Sequence, residues 1–110
     1  MKVKNRVKKA EDFQTLIKKG KKVVNQSFVL YFQPKVEEEA RIGISVSKKL
    51  GNAVHRNLYK RQVRMMCQEL IDFKNTDFDF VLIVRFDYPS QSYADNKNNL
   101  EKLLIKAKIK

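Results

Sequence analysis

The stretch Gly51–Met66, GNAVHRNLYKRQVRMM, gathers Arg56, Lys60, Arg61, Arg64 and, if protonated, His55 as cations on one predicted helix. Side chains of this kind do one sort of chemistry well, which is to hold anions. Arginine meets a phosphate in a two-pronged geometry that lysine cannot reproduce, and three of these four full cations are arginines. On a helix over Asn52–Asp72, Arg56, Asn57, Lys60, Arg61 and Arg64 fall within an arc of roughly 140°. Tyr59, Val63, Met66 and Leu70 gather on another side. They predict a core-facing stripe that leaves the cations outward as a rigid array. Most surface helices are charged opposite an apolar stripe, but they usually place acids four residues from their bases. This arc has none.

The turn before the helix adds to it. Ser45, Ser47, Lys48, Lys49, Gly51 and Asn52 lie between a strand pattern and the helix start. Gly51 suits a left-handed backbone and Asn52 an N-cap. A helix N-terminus flanked by two lysines is a ready anion site. The glycine and lysine spacing of a Walker-type phosphate loop is absent.

No set of residues suggests self-contained catalysis. His55 is the only histidine, which excludes a two-histidine nuclease mechanism. Cys67 is the only cysteine, so no disulfide framework or Cys/His metal spacing exists, and it reads as a packed helix residue. Asp77, Asp79, Asp87 and Asp95 show no paired spacing. Glu37–Glu39 read as a solvated loop tip, since adjacent carboxylates converge poorly on a metal.

The elements that must position these residues belong to one domain, residues 1–110, with 43% hydrophobic residues to build a core. Against 12 acids stand 24 Lys and Arg, a formal charge of +12. Such an excess costs stability through self-repulsion and implies a polyanionic partner, nucleic acid first and an anionic membrane surface second. The N-terminus MKVKNRVKKAEDF lacks the apolar run of a secretory signal, and no segment has the apolar length of a membrane span. With a lone thiol suited to a reducing compartment, a soluble cytoplasmic protein is expected.

Ala10–Lys19 predicts a short helix, with Glu11 and Asp12 in its first turn, Lys18 and Lys19 in its last and Gly20 as its stop. Phe13 and Ile17 share one of its faces. Lys21 and Lys22 lead into Val23–Val24, a candidate short strand. Ser27–Gln33 predicts a strand with Phe28, Leu30 and Phe32 on one side and Val29 and Tyr31 on the other. Arg41–Ser47 alternates: Ile42, Ile44 and Val46 form one face, Gly43, Ser45 and Ser47 the other. That second face is too small and polar for ordinary helix packing and could floor an open groove. Phe78–Arg85 is nearly all apolar, as in a strand buried on both faces beside a parallel partner. Tyr88–Ser90 reads as a loop. A last helix carries Leu100, Leu103, Leu104 and Ala107 on one face. The order αβββαβα gives an α+β fold, a two-layer sandwich of helices against one mixed four-stranded sheet.

The run SVSKKLGNAVHRNLYKRQVR resembles the signature of the bacterial ribonuclease P protein component, a K-K-x-G-N-A-V-x-R-N-x-x-K-R segment. AEDFQTLIKKGKKVVNQSFVLYF is similar to that family's N-terminal segment and FDFVLIVR to its last strand, so the likeness covers nearly the whole chain. It implies a ribosomal protein S5 domain 2-like fold with a left-handed βαβ crossover, where general rules predict a right-handed one. It also implies the accessory subunit of an RNA-based endoribonuclease. The partners would be one catalytic RNA per protein and precursor tRNA, whose 5′ leader is removed. Mg2+, held mainly by the RNA, would activate the attacking water.

Carried over by motif, Lys48, Lys49, Asn52, Arg56, Asn57, Lys60, Arg61 and Arg64 would meet the catalytic RNA. Phe13, Ile17, Tyr31, Ser45 and Ser47 would line a cleft for the leader, where bases stack on aromatic rings. Ordinary core packing is the simpler role for Phe13 and Tyr31. Two positions depart from the family pattern. Leu58 stands where many members have a second arginine, and Ile17 where an aromatic often completes the cleft. Two other classes remain open: a non-catalytic RNA-binding module such as a ribosome-associated protein, and a membrane-surface protein using its basic C-terminal helix.

Overall fold

The computed structural model of the chain describes residues 3–109, so Met1, Lys2 and Lys110, with the start of the basic N-terminus, lie outside it. Seven regular elements follow one another: α1 (Ala10–Lys19), β1 (Lys21–Val24), β2 (Phe28–Pro34), β3 (Ile42–Val46), α2 (Ala53–Leu70), β4 (Phe78–Val84) and α3 (Tyr93–Lys106). The strands form one sheet in the order β1-β2-β4-β3. β2 runs antiparallel to β1 and β4, while β3 and β4 are parallel and joined through α2. This is the α+β arrangement with a mixed four-stranded sheet that the pattern implied.

The period of the strands divides the core in two. Phe28, Leu30, Phe32, Ile42, Val46, Phe80, Leu82 and Val84 point to one face, where α2 and α3 cover them with Val63, Met66, Cys67, Leu100, Leu103 and Leu104. The alternate residues point the other way. There α1 buries Leu16 against Val81, with Phe13, Ile17, Tyr31 and Ile83 half-buried around them. The second face is therefore only partly roofed. Gly20 ends α1 in extended backbone and lets it press on the sheet, since a Cβ there would lie 2.4 Å from the Leu16 carbonyl oxygen and 3.1 Å from that of Phe32.

Two sequence-based expectations change. Tyr88 is not a loop residue: it sits in a 3-10 turn, fully buried, edge-on to Phe28 and Tyr59, with its hydroxyl donating to Gln62 Oε1 at 2.8 Å. Glu39 is not a solvated loop tip, because it pairs with Lys4 at 2.6 Å and accepts from Asn5 Nδ2. The lysine-bearing α3 also carries buried Asn96 and Asn99, which hold the Ser27 hydroxyl from two sides and so tie this helix to the β1–β2 turn. Buried polar groups are stable only when so satisfied. No helix among the described residues is long and apolar enough to cross a membrane.

One ion pair reaches into the sheet. Asp79, fully buried, accepts from the Arg41 backbone N–H and from Arg41 Nη2, both at 3.0 Å. Burial works against the Arg41 charge, but Asp79 and then Asp12 more than offset it and hold its pKa above the usual value. Removing one partner of such a pair leaves the other uncompensated. Asp79→Ala is expected to lower stability by about 3–5 kcal/mol, read as a lower urea midpoint with an unchanged slope.

Candidate nucleic-acid interface

α2 begins where Asn52 Oδ1 accepts from the His55 N–H at 3.0 Å, the N-cap that the sequence predicts. Ahead of it, Lys48–Leu50 forms a 3-10 turn capped by the Ser47 hydroxyl, which accepts from the Lys49 N–H at 3.2 Å. Gly51 joins the two at φ 143°, a backbone that side chains rarely adopt. Ser47, Lys48 and Lys49 are exposed, so the turn presents two lysines to solvent at the mouth of the helix.

The core stripe of α2 is made by Val63, Met66 and Cys67, flanked by half-buried Tyr59 and Leu70. Cys67, expected as a packed helix residue, is fully buried at the edge of this stripe next to the cations. The cationic arc consequently flanks the core stripe instead of standing opposite it. Asn57 and Arg61 are exposed, but Arg56, Lys60 and Arg64 are half-buried. The Arg56 Nε is buried and has no hydrogen-bond partner among the described residues. Lodging of this kind restricts the side chains before any ligand arrives.

The electrostatic accounting is one-sided. Lys4, Lys35, Arg41 and Lys97 form ion pairs with Glu39, Asp77, Asp79 and Glu69 respectively, and Arg41 also reaches Asp12. Among the described residues no cation of α2, nor Lys48 or Lys49, is in an ion pair. Leu58 is 41% exposed on the same helix, with Val54 and Met65 also exposed on its side of the wheel.

Across the sheet lie the aromatic candidates. Tyr31 and Gly43 both neighbour Val81 in the strand register, one on each side of it. The Phe13 ring lies directly on Gly43, where an added Cβ would stand 2.3 Å from Phe13 Cε2. The small face of β3 is thus partly a seat for α1 and only partly an open floor. Ile17 is half-buried beside Phe13, Ser45 lies one row further along the sheet next to Ile83, and Ser47 is spent as a cap. A hollow of about 120 Å³ wraps the β3 edge, lined by Arg6, Val7, Phe13, Ile42, Gly43, Ile44 and Arg64. Arg64 therefore joins the cationic helix to the aromatic cleft. Sequence reasoning missed Arg6, which a β-bridge to Ile42 places here. A larger hollow of about 380 Å³ between the N-terminal segment and residues 37–41 carries both signs of charge in nearly equal number.

Reactive groups are scarce. Burial pushes the Cys67 thiol far above its usual range, so it stays protonated. His55 is exposed, with Nδ1 2.9 Å from Asn52 Oδ1. Among the described residues no three His, Cys, Asp or Glu side chains converge as a metal site would need. The arrangement can hold polyanion and stack bases.

Comparison with known proteins gives one consistent answer. The family model described as Ribonuclease P matches residues 1–108. The ribonuclease P protein component of Bacillus velezensis is 44% identical over 111 residues, covering 99% of this chain and 94% of the relative. Among solved structures, the RNase P protein of Staphylococcus aureus superposes with a TM-score of 0.85 at 39% identity, over 96% of each chain. That of Thermotoga maritima gives 0.78 at 30% identity, over 92% of this chain and 96% of the other.

Gly51 offers a check of the turn that precedes α2. Gly51→Ala is expected to cost about 1–3 kcal/mol through its backbone conformation, measured by urea unfolding. An unchanged midpoint would mean that the turn tolerates another backbone.

Proposed function

This chain belongs to the ribonuclease P protein family, and from that premise we propose that it binds the catalytic RNA through α2 and its leading turn, and the 5′ leader of precursor tRNA in the Phe13–Tyr31 cleft. Membership implies partnership with the ribonuclease P RNA and a role in tRNA 5′ processing. The observation that carries the finer reading is a cationic helix with no ion pair among the described residues, whose Arg64 lines the same hollow as Phe13.

The residues of the two surfaces contribute by different routes. Arg56, Lys60, Arg61 and Arg64, with Lys48 and Lys49, neutralise phosphates and release condensed counterions. Asn57, exposed between them, offers an amide to a sugar or base edge. Half-burial of Arg56, Lys60 and Arg64 means that less side-chain freedom is lost on binding. In the cleft, Phe13, Ile17 and Tyr31 give a single strand apolar surface on which to stack, and Ser45 a polar neighbour. With Leu58 in place of an arginine, the helix makes one fewer phosphate contact.

Cleavage belongs to the RNA in this reading. Magnesium held there activates the water, and the protein's own carboxylates take no part. One protein per RNA, in the cytoplasm, is the working unit. Cleavage of precursor tRNA by the catalytic RNA at low magnesium, with and without the protein, tests the proposal as a whole. Acceleration is expected; an unchanged rate would reduce the chain to an RNA-binding module without this activity.

Two variants separate the surfaces. Arg61→Ala should weaken binding of the catalytic RNA roughly tenfold and lower the log-log salt slope by about 1; Leu58→Arg should raise that slope by a similar amount. Tyr31→Ala should leave assembly intact and cost about 1–3 kcal/mol in affinity for precursor tRNA, with mature tRNA unaffected. Equal losses for precursor and mature tRNA would remove Tyr31 from the leader site.

A further inference from the structure

Beyond the Tyr31 row the second face of the sheet continues as a shelf that α1 only partly covers. Ser45, Ile83, Val29 and Val24 form one row across all four strands, by the register of β3 with β4, β4 with β2 and β2 with β1. Three of these are half-buried, and Val24 is exposed. One step further, Arg85 stands beside β2, its N–H donating to the Ser27 carbonyl at 2.9 Å, and Ser47 is the next residue of the neighbouring β3 segment. Arg85 Nη1 donates to the Asn25 carbonyl at 2.8 Å, which fixes the guanidinium at the end of the shelf. Its Cζ lies 5.7 Å from the centroid of the Phe86 ring.

Phe86 is unlike the other phenylalanines. It is 71% exposed, whereas the remaining six are buried or half-buried. A scattered exposed apolar residue is ordinary. This one is a flat ring, held beside a tethered cation, at the end of an open sheet face that begins at the Tyr31 row. Val81 to Arg85 is four residues of strand, roughly 13 Å. Lys22 shares that face with Tyr31, and Lys48 and Lys49 follow Ser47 at the far corner. Asp87 follows Phe86, so the corner suits stacking on the ring more than a phosphate contact at that point. An open sheet that ends in an aromatic ring and is rimmed by cations has the chemistry of a single-stranded RNA platform.

We propose that the shelf extends the leader cleft, and that a leader nucleotide further from the cleavage site stacks on Phe86 with Arg85 beneath it. This rests on the leader-binding reading above. Phe86 takes no part in the core, so its substitution leaves the fold in place.

The test uses the holoenzyme and precursor tRNAs whose leaders are lengthened one nucleotide at a time. The wild type is expected to gain affinity in two steps, one as the leader fills the Phe13–Tyr31 cleft and a second as it reaches the shelf. Phe86→Ala should abolish the second step alone, a loss of about 5- to 10-fold confined to long leaders, and Phe86→Trp should retain it. If Phe86→Ala matches the wild type at every length while Tyr31→Ala loses the first step, the shelf is overturned and the cleft stands. If neither variant depends on leader length, both fall together.

Discussion

The apolarity of β4 on both faces is the constraint from which the rest of the fold follows. FDFVLIV offers only one polar side chain, so the strand has to lie inside the sheet, with both faces covered. β2 and β3 take its two edges. α2 and α3 cover Phe80, Leu82 and Val84, while α1 is long enough to cover Val81 but leaves Ile83 half-buried. Asp79, the exception, is tolerated because Arg41 reaches it from the neighbouring segment. The incomplete roof over the second face is what gives the chain a groove at all. Ten residues of helix on a four-stranded sheet leave apolar rows open, and those rows face the strand proposed to bind there.

The same crossover that buries β4 also aims the cations. α2 must pass from β3 to the parallel strand β4, and Val63, Met66 and Cys67 settle its rotation. Tyr88 holds the helix from beneath through Tyr59 and Gln62. The charges of α2 are then carried at positions that packing dictates, without acids to relieve them. Mutual repulsion makes this costly for an isolated domain. The cost is borne by a core in which seventeen buried residues form one cluster on the α2–α3 side, and a polyanion taking the place of counterions would relieve it.

Much of this was legible in the residues themselves. α1 runs over the predicted Ala10–Lys19, α2 starts at the predicted Asn52 cap, and the two-faced burial of β4 follows from its composition. Local pattern suffices where one short-range force decides. It fails where the partner is distant in sequence. Arg41 and Asp79 are 38 residues apart, Tyr88 reaches its place through a turn rather than a periodic element, and Asn96 reads as a surface residue until Ser27 is set against it. The cationic arc of α2 shares an edge with the core for a related reason: on a wheel Cys67 falls inside that arc, and the sheet beneath is what buries it there. Likewise the residues of the cleft could be named from resemblance, but that Phe13 lies on Gly43 depends on strand register, which the pattern of β3 alone does not contain.

What the chain lacks also bears on how it can contribute to tRNA processing. Its thiol is buried and protonated, and its only histidine is exposed and engaged with the N-cap. An accessory that offers binding alone affects rate through the difference between what it holds before and after reaction. A surface that gripped the whole tRNA equally would bind substrate and product alike and slow release. The leader is the one part that the mature product lacks. Contacts confined to it stabilise the bound precursor, stay in place up to the cleavage step, and no longer hold the mature tRNA once the bond is cut. On the proposed reading, a groove for the leader beside a helix for the catalytic RNA would therefore let binding alone favour substrate over product.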